Sequence, residues 1–87
     1  MPRILMYSTR LCPYCIRAEQ LLTKKGIGPE QIEKIRVDEQ PEQRAEMTRR
    51  TGQRTVPQIF IGERYVGGFD DLAELDADGE LDTLLQS

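Results

Sequence analysis

No histidine and no tryptophan occur among these 87 residues, and there are only two cysteines, Cys12 and Cys15. The missing histidine excludes Ser/His and Cys/His nucleophilic pairs and histidine-ligated metal centres in one step. Aromatic residues are few (Tyr7, Tyr14, Phe60, Tyr65, Phe69), so the core must be built mainly from Leu, Ile and Val. No apolar run approaches the roughly 18 residues of a membrane span, and no membrane partner is expected. The opening Met-Pro-Arg-Ile-Leu-Met-Tyr-Ser is too short for the apolar stretch of a secretory signal, and no small-residue cleavage site follows. The expected compartment is the cytoplasm. Repeats, low-complexity tracts and linkers are also missing, and two cores at this length would each be marginal. One domain over residues 1–87 is expected.

The net charge of −3 conceals an asymmetry. Residues 1–64 carry twelve Lys/Arg against eight Asp/Glu, whereas residues 65–87 carry seven acids and no base. An acidic chain argues against nonspecific nucleic-acid binding. The arginines in 44–54 read either as a solvated helix face or as an attractor for a small anion.

What is present has a clear rhythm. Residues 3–7 form an apolar run of strand length. Residues 12–25 have helical periodicity, with Cys15, Ala18, Leu21 and Leu22 on one face. Pro13 suits the first helical position, where its missing N–H removes no bond. Lys24, Lys25 and Gly26 make a C-terminal stop. Residues 32–38 read as a second strand, with Ile35 and Val37 alternating against Lys34 and Arg36. Residues 41–51 read as a helix whose thin apolar stripe is chiefly Ala45 and Met47, ended by Gly52. Two runs, 57–61 and 64–67, are separated by Gly62-Glu63, the spacing of a two-residue hairpin. Residues 70–77 read as a helix with acids at its start; Gly79 interrupts it before Leu81, Leu84 and Leu85 supply a last apolar stripe. The order β-α-β-α-β-β-α predicts an α/β fold of four strands flanked by helices, in a mostly parallel sheet with an antiparallel hairpin at its far end.

Cys12-Pro13-Tyr14-Cys15 follows the first strand and opens a helix. Cys12 is expected at the helix N-cap, where unpaired N–H groups and the positive dipole end stabilise a thiolate. Its pKa should fall well below the unperturbed value of about 8.5. Arg10 adds positive charge nearby. Cys15, one turn into the helix, should be less exposed and less acidic, and placed to attack a mixed disulfide formed on Cys12. Other readings stay open. A structural disulfide closing so short a loop would stabilise by only about 2 kcal/mol and suit a reducing compartment poorly. Half of a zinc site, or of a shared iron–sulfur site, would need a second copy of the chain to complete it.

Three segments occur in order: Tyr7-Ser8-Thr9-Arg10-Leu11-Cys12-Pro13-Tyr14-Cys15, Thr55-Val56-Pro57, and Gly67-Gly68-Phe69-Asp70-Asp71. They resemble the dithiol motif, the Thr-Val-Pro segment and the Gly-Gly-x-Asp-Asp segment of glutaredoxins, and the resemblance covers essentially the whole chain. It implies a thioredoxin-like fold with a four-stranded mixed sheet, and a glutathione site. It further implies that Cys12 attacks a protein–glutathione mixed disulfide. A second glutathione then resolves the intermediate, or Cys15 closes an intramolecular disulfide when protein disulfides are reduced.

For the site, the resemblance implies a cis peptide before Pro57, with Val56 offering its N–H and C=O as a strand edge to glutathione. The glycine carboxylate would meet Arg10 and Arg44. The γ-glutamyl carboxylate would take the backbone N–H groups of Asp70 and Asp71, with one of their side chains answering the amine. Tyr14 would pack over the sulfur region, and Phe69 would make the floor more apolar. Read without the family, Asp70 and Asp71 are equally ordinary helix-starting residues, and Pro57 could begin a strand. The implied cosubstrate is glutathione, with no metal expected. The implied partners are disulfide-containing or glutathionylated proteins, ribonucleotide reductase and a sulfate or arsenate reductase among the candidates, met by a monomer. Two positions depart from many relatives: Arg10 stands for Lys, and Phe69 for Cys. Two alternatives are a dimer holding a [2Fe–2S] cluster on two Cys12 thiolates and two glutathiones, and a redoxin served by thioredoxin reductase. Pro13 argues against the first; Arg10, Arg44 and Asp70-Asp71 argue against the second.

Overall fold

A computed structural model describes residues 2–86 and places four strands in one sheet, in the spatial order second, first, third, fourth along the chain. In chain order the elements are β1 (Ile4–Ser8), α1 (Pro13–Lys24), a short 3-10 turn (Pro29–Gln31), β2 (Ile32–Arg36), α2 (Pro41–Thr51), β3 (Gln58–Ile61), β4 (Arg64–Gly67), α3 (Phe69–Ala77) and α4 (Glu80–Gln86).

β1 is flanked by β2 and β3, so alternate side chains feed two cores, one on each face. Ile4 and Met6 join Ile32, Ile59 and Ile61 against Ala18 and Leu22 of α1, Leu72 of α3, and Leu81 and Leu85 of α4. Tyr7 turns to the other face, beside Val37, Phe60 and Met47 of α2.

The sheet is mixed, as the resemblance implied, and this corrects the expectation, drawn from element order alone, of a mostly parallel one. β1 and β2 are parallel, as a strand–helix–strand unit requires. β3 instead runs antiparallel to β1, pairing Ile4 with Ile61 and Tyr7 with Gln58, and β4 runs antiparallel to β3. An apolar strand reads the same in both directions, so its pattern does not report which way it enters the sheet.

The α2 boundaries match the sequence reading, and Gly52 stops the helix in a left-handed conformation (φ 72°). Its inward face does not match. Met47 is fully buried while Ala45 is exposed. Two positions along a helix differ by about 200° around its axis, so both residues cannot face the same sheet. The contact beyond Met47 comes from Arg50, whose guanidinium lies 4.1 Å from the Phe60 ring centre and donates to the Tyr7 hydroxyl at 3.1 Å.

The C-terminal region is also more divided than expected. α3 begins one residue earlier, at Phe69, and Gly79 (φ 79°) separates it from α4 as a helix of its own. Leu81 and Leu85 bury one face of α4. Lys25, the cap residue of α1, reaches Asp76 of α3 at 2.6 Å and Asp82 of α4 at 3.2 Å.

Candidate active site

The chain leaves β1 at Ser8 and enters α1 at Pro13, so Cys12 is left as the helix cap, in an extended conformation (φ −137°). Its sulfur accepts the Cys15 N–H at 3.1 Å, as a side-chain cap does. No acidic residue in the first turn opposes negative charge there. A hydrogen bond to the charged form and the dipole end both lower a thiol's pKa.

Cys12 and Cys15 are joined as a disulfide across a Cα–Cα distance of 5.2 Å. Cys15 is the more enclosed, 4% exposed against 7%, because it lies on the buried face of α1 with Ala18 and Leu22. On the other side of the Cys12 sulfur, at 3.7 Å, is the carbonyl oxygen of Val56. The Val56–Pro57 peptide is cis, as the resemblance implied.

The approach to Cys12 is fastened at Arg10, whose backbone N–H donates to Asp38 at 3.2 Å. Arg36 grips the same carboxylate with Nε at 2.9 Å and Nη2 at 2.8 Å. These bonds, Arg36's foremost, hold the Asp38 carboxyl at about 2.

Beside the dithiol runs a groove of about 500 Å³. It gathers seven of the residues singled out in the sequence: Tyr14, Thr55, Val56, Pro57, Phe69, Asp70 and Asp71. The Tyr14 ring, half-exposed, lies 6.2 Å from that of Phe69 and carries the Arg17 guanidinium 5.2 Å from its centre. At the far end α3 is capped by Gly68, whose N–H donates to the Asp71 carboxylate at 3.0 Å. The first helical bond runs from Leu72 N–H to Gly68 C=O at 3.1 Å. The N–H groups of Phe69, Asp70 and Asp71 therefore have no helical acceptor and form an anion-receptive end.

Two expected residues stand apart from this groove. Arg10 lines a separate hollow of about 170 Å³ with Cys12, Cys15, Lys34 and Arg36. Arg44 lies on the exposed face of α2, with Nη1 donating to the Arg54 carbonyl at 3.4 Å. The structure does not bring the two arginines together. The groove also includes Gly68 of the Gly-Gly-x-Asp-Asp segment, together with Gln53, Gln58 and Tyr65, to which the sequence reading assigns no place in the site. Gln58 had a visible signal, a lone amide in the otherwise apolar run 58–61. Among the described residues, no group of three or more Cys, Asp or Glu converges where a metal ion would be held.

A sulfur at a helix cap, a second sulfur bonded to it, and an adjoining groove suit thiol–disulfide exchange. Comparison with known proteins agrees. The sequence model of the family described as Glutaredoxin matches residues 4–66. A glutaredoxin of Pseudomonas aeruginosa is 52% identical over 87 residues, covering 100% of both chains. One from Neisseria meningitidis is 53% identical over 85 residues, covering 98% of each. The solved structure of a buckwheat glutaredoxin–glutathione complex superposes with a TM-score of 0.87 at 32% identity, over 98% of this chain and 77% of that one.

Proposed function

The chain belongs to the glutaredoxin family of thiol–disulfide oxidoreductases, and from that premise we propose that it reduces protein–glutathione mixed disulfides and protein disulfides with electrons from glutathione. The carrying observation is the Cys12 sulfur, held at the start of α1 by the Cys15 N–H at 3.1 Å and lying 3.7 Å from the carbonyl of Val56, a residue of the groove wall. The Cys12 thiolate attacks the glutathionyl sulfur of the substrate. That S–S bond breaks, the substrate thiolate leaves and takes a proton, and a Cys12–glutathione disulfide forms. The thiolate of a second glutathione attacks this disulfide, releasing oxidised glutathione and regenerating the Cys12 thiolate. With a protein disulfide as substrate, Cys12 forms the mixed disulfide and Cys15 attacks the Cys12 sulfur. The reduced protein leaves as the Cys12–Cys15 disulfide forms, and two glutathiones reduce that disulfide back to the two thiols, leaving as oxidised glutathione.

In this reading glutathione's cysteine residue pairs with the backbone of Val56, and its γ-glutamyl carboxylate takes the free N–H groups at the start of α3. The buckwheat relative solved with glutathione supports the choice of ligand. One Asp71 oxygen already accepts the Gly68 N–H, so the Asp70 side chain is assigned to the amine. Tyr14 and Phe69 flank the sulfur. Arg10 and Arg44, outside the groove wall, contribute longer-range attraction for the two carboxylates. A monomer suffices, because every group invoked lies in one chain. The chemistry suits a reducing compartment, assigned as the cytoplasm.

The test is mass spectrometry of Cys15→Ser protein treated with oxidised glutathione. A single adduct on Cys12 is expected; no adduct, or one formed elsewhere, contradicts the reading.

A further inference from the structure

Gln58 is a buried amide in a strand otherwise made of Ile59, Phe60 and Ile61, and it is 3% exposed. A buried amide is costly unless both of its ends are paired. Both are. Nε2 donates to the Thr55 carbonyl at 3.0 Å and to the Thr55 hydroxyl at 3.2 Å. Oε1 accepts the Tyr65 hydroxyl at 2.5 Å. The orientation of the amide follows from its partners, since the Thr55 carbonyl can only accept and must face the NH₂ group. Tyr65 is itself held by its ring, 5.1 Å from that of Phe60.

The Thr55 carbonyl belongs to the peptide that leads directly into Val56. Val56 in turn places its own carbonyl 3.7 Å from the Cys12 sulfur. A continuous brace thus runs from β4 through Tyr65 and Gln58 to the backbone edge beside the dithiol. We infer that Gln58, locked by the Tyr65 hydroxyl, is a positioning residue that sets the height at which Val56 meets bound glutathione, an inference that rests on the glutathione reading above. Neither side chain is in contact with the reacting sulfur. The brace acts through binding, equally in the ground state and the transition state, and so governs KM and not kcat.

Tyr65→Phe keeps the ring against Phe60 and removes only the hydroxyl, leaving Gln58 Oε1 without its donor. Its KM for a glutathionylated peptide is expected to rise about fivefold, the worth of one hydrogen bond, with kcat held within about twofold. The rate at which iodoacetamide alkylates Cys12 should keep its pH profile. Gln58→Met, which fills the same volume with no polar group, should raise KM at least as much. Adding Tyr65→Phe to Gln58→Met should then change nothing further, because the two residues act through one bond.

An unchanged KM in Tyr65→Phe overturns the inference, as does a loss confined to kcat or an undiminished Tyr65→Phe effect in the Gln58→Met background. If Gln58→Met does not fold, Tyr65→Phe alone decides. A wild-type protein that fails to turn over the glutathionylated peptide overturns the functional reading and the inference with it. A normal wild type beside an unmoved variant overturns only the inference.

Discussion

The sulfur of Cys12 accepts the backbone N–H of Cys15 at 3.1 Å, so α1 is capped by the same atom that does the chemistry. Cys15 contributes its N–H to that cap whatever its side chain. Cys15→Ser should therefore retain turnover of glutathionylated substrate while losing the dithiol reduction of protein disulfides. Cys12→Ser should lose both. A glutathione-coupled assay with each substrate class checks this, and residual turnover of either by Cys12→Ser would reverse the assigned roles.

Asp38 ties the loop before Cys12 to the end of β2. Its carboxyl is held at about 2, below the ordinary 3.8, by Arg36 first and also by the Arg10 N–H. A depressed folded-state pKa stabilises the fold above the unfolded value, and that contribution fades as pH falls toward the folded one. The stability gap between wild type and Asp38→Asn should thus be constant from pH 7 to about 5 and close between about 4 and 2. Urea midpoints across that range measure it, and a gap independent of pH would remove Asp38 from the account.

Asp71 accepts the N–H of Gly68 at 3.0 Å and so secures the start of α3. Asp71→Ala should cost about 1 kcal/mol, whereas Asp71→Asn, which keeps an acceptor oxygen, should cost under about 0.5 kcal/mol. Thermal denaturation separates the two. Equal losses would mean that charge, not the hydrogen bond, holds this turn.

Met47 is the buried anchor of α2, and Ala45 is exposed. Met47→Ala should destabilise by about 3 kcal/mol, and Ala45→Gln by under about 0.5 kcal/mol. Chemical denaturation of both variants checks the contrast, and the opposite ranking would restore the sequence-derived stripe.

Much of this was legible beforehand because it is local. Pro13 one residue past Cys12 marks a helix start, Gly62-Glu63 marks a hairpin, and both need only neighbouring residues to be understood. The same holds for Gly52 as the end of α2. Features that depend on distant contacts were not legible. The direction of β3 is decided by its pairing with β1, not by its own alternation. The role of Gln58 depends on Tyr65 seven residues away, across the hairpin. Arg10 and Arg44 carry the right charge for a carboxylate, yet their hollows are set by β2 and α2, and sequence spacing does not report that.

The central claim is that the start of α1 ionises the Cys12 thiol near neutrality. The direct measurement is the rate of iodoacetamide alkylation of reduced Cys15→Ser protein as a function of pH. A midpoint at least about one unit below the free-thiol value of about 8.5 is predicted. A midpoint at 8.5, or a sulfur that does not react while the protein stays folded, would contradict it.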